Sequence, residues 1–249
     1  MLVRPARLAA LLLLVIGLGG AAALLGAGSP VRRASVAIPR GVRRGLGHFA
    51  RPQRPCESES VGKPWRGSLR CAQPLSPYGR LALHSSSAYG TAQTLAALRK
   101  ASDALEDQDP DGPPIDVFDL SGPGGGRSAY HLSHQSGRDV DLGYLYLDGF
   151  RPANWNAPAP LDEFDAARTW MLLEALIRTG EVQRVFIDYE LQAPLYAEAM
   201  KTQSRWAALL FQYPRGPSEP HGLIRHFRNH RSHLHVRFRC PPGSHACRG

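Results

Sequence analysis

A chain of 249 residues with 43% hydrophobic and 20% charged side chains has room for one substantial core and little more. Its formal charge of +9 invites a polyanionic partner, yet residues 1–70 carry 12 Lys/Arg against 2 Asp/Glu while residues 71–249 carry 18 against 19. The globular part is therefore nearly neutral, which excludes a domain-wide basic groove and with it a nucleic acid as partner.

Arg4 and Arg7 precede an apolar run from Leu8 to Leu25 that predicts a secretory signal or an uncleaved signal anchor within residues 1–29. Either leads out of the cytoplasm, so the expected place is the periplasm, with residues 8–25 as a tether to the inner membrane if they are retained. From residue 30 to residue 70 the chain is rich in Arg, Pro, Gly and Ser, poor in apolar clusters, and reads as a flexible linker. The folded domain is expected over 71–249.

Cys56, Cys71, Cys240 and Cys247 are an even set without a C-x-x-C pair, which in an exported chain predicts disulfides rather than a zinc knuckle. Three connectivities are open. Closeness along the chain favours Cys56 with Cys71 and Cys240 with Cys247.

Leu95, Leu98, Ala101 and Leu105 recur at helical spacing behind Thr91, a capping residue, so the first helix runs over 91–105. Residues 115–120 read as a strand followed by a Ser121–Gly126 loop, whose glycines permit close backbone approach but lack the Lys-Ser/Thr of a phosphate-binding loop. Residues 138–147 alternate, with Val140, Leu142, Tyr144 and Tyr146 on one face and Asp139, Asp141 and Gly143 on the other. A second helix is expected over 162–179, a strand over 182–187, and a helical stretch around 206–211. Residues 233–239 alternate again, turning Leu234, Val236 and Phe238 inward and His233, His235, Arg237 and Arg239 outward. The class is α+β: a central antiparallel sheet bearing a polar groove on one face, with helices on the other.

Eight of the ten histidines lie at or after position 131, and five of them form two clusters, His131 with His134 and His230 with His233 and His235. The first cluster precedes a glycine turn and a strand carrying Asp139 and Asp141; the second sets two imidazoles on one strand face. Two imidazoles with one carboxylate suit Zn²⁺ and leave a corner open for solvent, the arrangement of a catalytic rather than a structural site. No H-E-x-x-H helix competes.

The run His131-Leu-Ser-His134-Gln-Ser-Gly-Arg-Asp139-Val-Asp141 resembles the first zinc motif of the penicillin-insensitive murein endopeptidases. The run His230-Arg-Ser-His233-Leu-His235-Val-Arg-Phe-Arg-Cys240-Pro resembles their second, and Gly125 and Gly126 fit the glycine loop before the first. The resemblance implies a zinc peptidase of the lysostaphin and D-alanyl-D-alanine metallopeptidase superfamily that cuts D-alanyl to meso-diaminopimelyl cross-links in peptidoglycan. It implies His134, Asp141 and His235 as the zinc ligands and His233 as the general base. His230 would orient substrate or stabilise the developing oxyanion, and His131 would be an auxiliary ligand or a neighbour of the metal.

Asp139 is expected to fix a ligand histidine or an arginine rather than bind the ion. Arg237 and Arg239 read as solvated strand residues, Asp188 as a helix cap, and Trp155, Trp170 and Trp206 as core or rim. Two other functions stay open on the same residues: a D,D-carboxypeptidase or dipeptidase, and a catalytically silent wall-binding module stabilised by zinc.

Overall fold

The computed structural model describes residues 56–148 and 150–249, with the side chains of 202–206, Trp206 among them, outside that description. The expected leader, its tether at 8–25 and the linker up to residue 55 also lie outside the described residues. Among the described residues no helix is long and apolar enough to cross a membrane.

In chain order the elements are β1 (Glu59–Lys63), β2 (Arg66–Arg70), β3 (Gln73–Pro74), β4 (Leu81–Leu83), β5 (Tyr89–Gly90), α1 (Ala92–Gln108), β6 (Ile115–Val117), β7 (Asp139–Gly143), α2 (Ala166–Arg178), β8 (Val182–Ile187), α3 (Tyr189–Leu210), β9 (Ile224–His226) and β10 (His233–Phe238). Six strands form one sheet in the order β4-β6-β7-β10-β8-β9. Its centre is antiparallel, as expected, while the outer pairs β4-β6 and β8-β9 are parallel, so the whole sheet is mixed.

Period-two patterning decides which face is buried under helices. Val140 and Leu142 of β7, Leu234 and Val236 of β10, and Val185 and Ile187 of β8 are each 0% exposed and join Leu95, Leu98, Leu172, Leu176, Leu191 and Leu195 of the three helices in one core. Helix α1 begins where Thr91 Oγ1 accepts the Thr94 amide. Helix α2 starts later than expected, at Ala166, because Asp165 caps it through the Arg168 amide. Helix α3 takes in the helical stretch expected around 206–211 as far as Leu210 and starts well before it, behind Asp188, which does act as its cap. The strand expected over 138–147 is only Asp139–Gly143.

The expected linker ends too late at residue 70. Strands β1 and β2 pair in full register as a hairpin, Cys56 and Cys71 close its base, and Leu69 is 3% exposed. The sequence hides this because the hairpin has few apolar residues; its anchor is a buried arginine. Arg138 is wholly buried and donates to Ser60 Oγ at 3.1 Å, the Phe238 carbonyl at 2.9 Å and the Arg248 carbonyl at 2.7 Å. One guanidinium thus ties hairpin, sheet and C-terminal segment together. A second disulfide, Cys240–Cys247, closes that C-terminal segment.

The hairpin also shapes the loop before the first histidine cluster. The Leu69 amide donates to the Gly124 carbonyl at 3.0 Å, and the Gly126 amide to the Gln135 carbonyl at 2.9 Å. At Gly125 the backbone has φ +64°, and a Cβ would stand 2.2 Å from the Gln135 carbonyl oxygen, so only glycine fits there.

Candidate metal centre

Register brings the two motifs together. On the face opposite the core, β7 and β10 pair Asp141 with His235 and Asp139 with Arg237. His235 Nδ1 lies 2.8 Å from Asp141 Oδ1. His134 arrives from the turn before β7 in a left-handed conformation, φ +63°, with its amide donating to Asp139 Oδ2 at 3.1 Å. Its Nε2 sits 3.2 Å from His235 Nδ1 and 3.3 Å from Asp141 Oδ2. All three side chains are buried.

The ring of His134 is fixed by its far nitrogen. Nδ1 can only donate to the Leu120 carbonyl, 2.7 Å away, so a neutral ring turns the Nε2 lone pair toward the Asp141 carboxylate. Acceptor then faces acceptor, an arrangement that calls for a positive charge between them. His235 gives the same sign. Burial pushes its pKa down, but Asp139, and then Asp141, outweigh burial and raise it to about 9. Both carboxylates, which burial would raise, are held well below their usual range: Asp141 by His134 and His235, Asp139 by His235 and Arg237. Two buried carboxylates are thus kept ionised beside imidazoles and a guanidinium.

His131 completes an overlapping set. His131, His134 and Asp141 place one ligand atom each within 4.8 Å of one another and can hold a metal ion. Its Nδ1 is 3.7 Å from Asp141 Oδ2, while its Nε2 binds Asp119 Oδ2 at 2.7 Å. That hydrogen bond raises the His131 pKa and lowers that of Asp119, which also accepts from Ser85 Oγ. The contacts among His134, Asp141 and His235 are the tighter of the two sets, with His131 at the edge.

The other two histidines flank this cluster. His233 Nε2 lies 3.8 Å from Asp141 Oδ2 and its Nδ1 lies 3.0 Å from Ser232 Oγ. Burial lowers its pKa, and burial brings His230 down to about 4. His230 donates Nδ1–H to the Arg228 carbonyl at 2.8 Å, which leaves Nε2 as a lone pair. An oxyanion needs a donor, and in this tautomer Nε2 offers a hydrogen-bond acceptor instead.

Asp139 binds the Arg237 guanidinium through Nε at 2.8 Å and Nη2 at 3.3 Å and stands 3.4 Å from His235 Nε2. Arg237, expected in solvent, instead lies between two rings, its guanidinium 5.4 Å from the centroids of Trp65 and Phe186. Trp170 is core, Trp155 is exposed at a cavity rim, and His226 Nδ1 accepts the Tyr189 amide at the start of α3.

Cavities open on both sides of the cluster. Over β8 and β10 lies an apolar shelf lined by Trp65, Leu132, Phe186, Phe227, His230 and Arg237. Beside β6 lies a second, lined by His84, Phe118, Asp119, Tyr130, Asp141 and Trp155. Trp65 and Asp119 escape the sequence reading: Trp65 sits in the arginine-rich arm with no periodic neighbours, and Asp119 lies two residues past the end of β6.

Sheet, turn and buried carboxylates define an α+β domain with a histidine–carboxylate centre able to hold a metal ion. The chain belongs to the penicillin-insensitive murein endopeptidase family, whose model matches residues 60–249. Relatives named penicillin-insensitive murein endopeptidase include one from Pectobacterium atrosepticum, 32% identical over 145 residues, which cover 53% of this chain and 46% of the relative. Another, from Yersinia enterocolitica, is 31% identical over 145 residues, covering 53% of this chain and 47% of the relative. One from Klebsiella pneumoniae is 29% identical over 148 residues, again covering 53% and 47%. The chain thus spans about half the length of the curated relatives it matches.

Proposed function

We infer that the protein is an exported zinc endopeptidase that hydrolyses D-alanyl to meso-diaminopimelyl cross-links in peptidoglycan, acting in the periplasm with residues 8–25 as leader or inner-membrane tether. One observation carries the reading: His134 Nε2 and His235 Nδ1 stand 3.3 and 2.8 Å from the two oxygens of the Asp141 carboxylate and 3.2 Å from each other. Ligand atoms around a tetrahedral Zn²⁺ stand about 3.3 Å apart, given bonds of ~2.0 Å, which supports zinc and these three residues as its holders. Zinc bound there supplies a Lewis acid that polarises the scissile carbonyl and acidifies the attacking water.

The protein's own side chains do the rest. Asp139 keeps His235 and the His134 backbone in place. His233, neutral at pH 7, takes the proton of the attacking water and returns it to the leaving amine. His230, with Nε2 unprotonated, accepts a hydrogen bond from the water or the amine, and His131 steadies the edge of the cluster through Asp119. Family membership and the paired histidines weigh against a silent wall-binding module.

Cavities on both sides of the centre favour an endopeptidase over a D,D-carboxypeptidase, which needs room on one side only. The test is digestion of purified cross-linked muropeptide dimers with and without chelator. Monomers from dimers, lost on chelation and restored by zinc, are expected; free D-alanine as the product, or cleavage indifferent to the chelator, contradicts the reading.

A further inference from the structure

The cavity beside β6 continues outward. His84, Phe118 and Trp155 line both the part that reaches Asp119 and Asp141 and an adjoining part of about 500 Å³, so the two make one groove leaving the centre. Its walls are aromatic, with the Phe118 ring 5.9 Å from Trp155 and 5.7 Å from His84. Its outer part bears both signs of charge. Asp116 holds His84 Nε2 at 2.7 Å while its side chain stays 40% exposed, and Arg151 lines the same space on the loop that carries Trp155. The shelf on the other side differs: Arg237 is its charged residue, already bound by Asp139, and no carboxylate is among its described lining residues.

Resting on the cross-link reading above, the chemistry of the two stems separates these sites. The acceptor stem has spent the distal amine of its diaminopimelate in the scissile amide and keeps only a carboxylate on that carbon. The donor stem's diaminopimelate, one residue before the D-alanine, keeps an ammonium and a carboxylate together at the end of three methylenes. Such a group needs an apolar wall for its methylenes and one charge of each sign at its tip. We propose that the groove of Phe118, Trp155, Asp116 and Arg151 is the subsite for this zwitterionic side chain of the donor stem. Asp116 receives the ammonium and Arg151 the carboxylate.

The experiment uses two synthetic cross-linked peptides with the same D-alanyl to meso-diaminopimelyl bond. One carries meso-diaminopimelate at the third position of the donor stem, the other lysine, which keeps the methylenes and ammonium but lacks the distal carboxylate. The full chain should favour the first about tenfold in kcat/KM. Arg151→Ala should erase that preference without changing the rate on the lysine donor; Arg151 is exposed, and its guanidinium donates to the carbonyl of its neighbour Phe150. Asp116→Asn should slow both substrates alike. Equal rates for the wild type, or a preference that survives Arg151→Ala, overturn the proposal while leaving the endopeptidase reading intact. Cleavage of neither peptide overturns that reading itself.

Discussion

Asp139 and Arg237, 98 positions apart, meet across β7 and β10 with Nε 2.8 Å from Oδ1, and the same carboxylate receives the His134 amide at 3.1 Å. A strand pair therefore sets the proposed ligand cluster through a residue that need not touch an ion. Asp139→Asn leaves a partly buried guanidinium with half its partner and should cost about 1–3 kcal/mol of stability. It should also weaken zinc binding by about 10- to 100-fold, as measured by competition with a chromogenic chelator. A variant with wild-type affinity would show that Asp139 orients nothing.

The same carboxylate predicts an acid dependence. Its folded pKa lies below its unfolded one, so the unfolded chain takes up the proton first on acidification. Its contribution is complete above about pH 5 and is lost as pH falls below the unfolded value near ~3.9. Urea midpoints should therefore decline more steeply between about pH 5 and 2 in the wild type than in Asp139→Asn.

His233 and His230 can be told apart by what replaces them. His233→Ala should keep its zinc and lose about 10²–10⁴-fold in kcat. His230→Lys supplies charged donors and no acceptor, so loss of activity comparable to His230→Ala fits an acceptor, whereas near-wild-type activity restores the oxyanion role. Both imidazoles titrate below 6.5 in the fold, so kcat/KM should stay level around pH 7–8 and fall on the acid side only.

That Asp141 and His235 share one face was readable because both strands alternate. Val140 and Leu142 facing the helices put Asp139 and Asp141 on the other face, and Leu234 and Val236 do the same for His233 and His235. What stayed hidden depends on single tertiary anchors. Arg138 buries itself to fasten a hairpin that composition alone describes as a tail, and Asp119 reaches His131 from beyond the regular part of its strand. Neither follows from local periodicity, because each contact joins segments whose approach is set by the sheet. The tautomer of His230 is likewise invisible in sequence, since it is chosen by the Arg228 carbonyl.

Trp65 brings the hairpin to the proposed substrate path. It lines the shelf beside His230 and stacks on Arg237. Trp65→Ala should remove about 1 kcal/mol of contact, read as a roughly fivefold rise in KM on muropeptide dimers with kcat little changed. An unchanged KM would put the shelf outside the substrate path.

The Cys56–Cys71 bridge holds that hairpin at a sequence separation of 15. Replacing both cysteines with serine should cost about 3 kcal/mol in chain entropy, seen as a lower Tm. Because the hairpin carries Trp65, the same variant should raise KM on muropeptide dimers, while zinc content stays at the wild-type level.

Elemental analysis of the purified native chain speaks most directly to the central claim. One zinc per chain is expected in the wild type and in His233→Ala, and none in Asp141→Ala or His235→Ala. A wild type free of divalent metal, or full zinc occupancy after loss of Asp141 or His235, would contradict it.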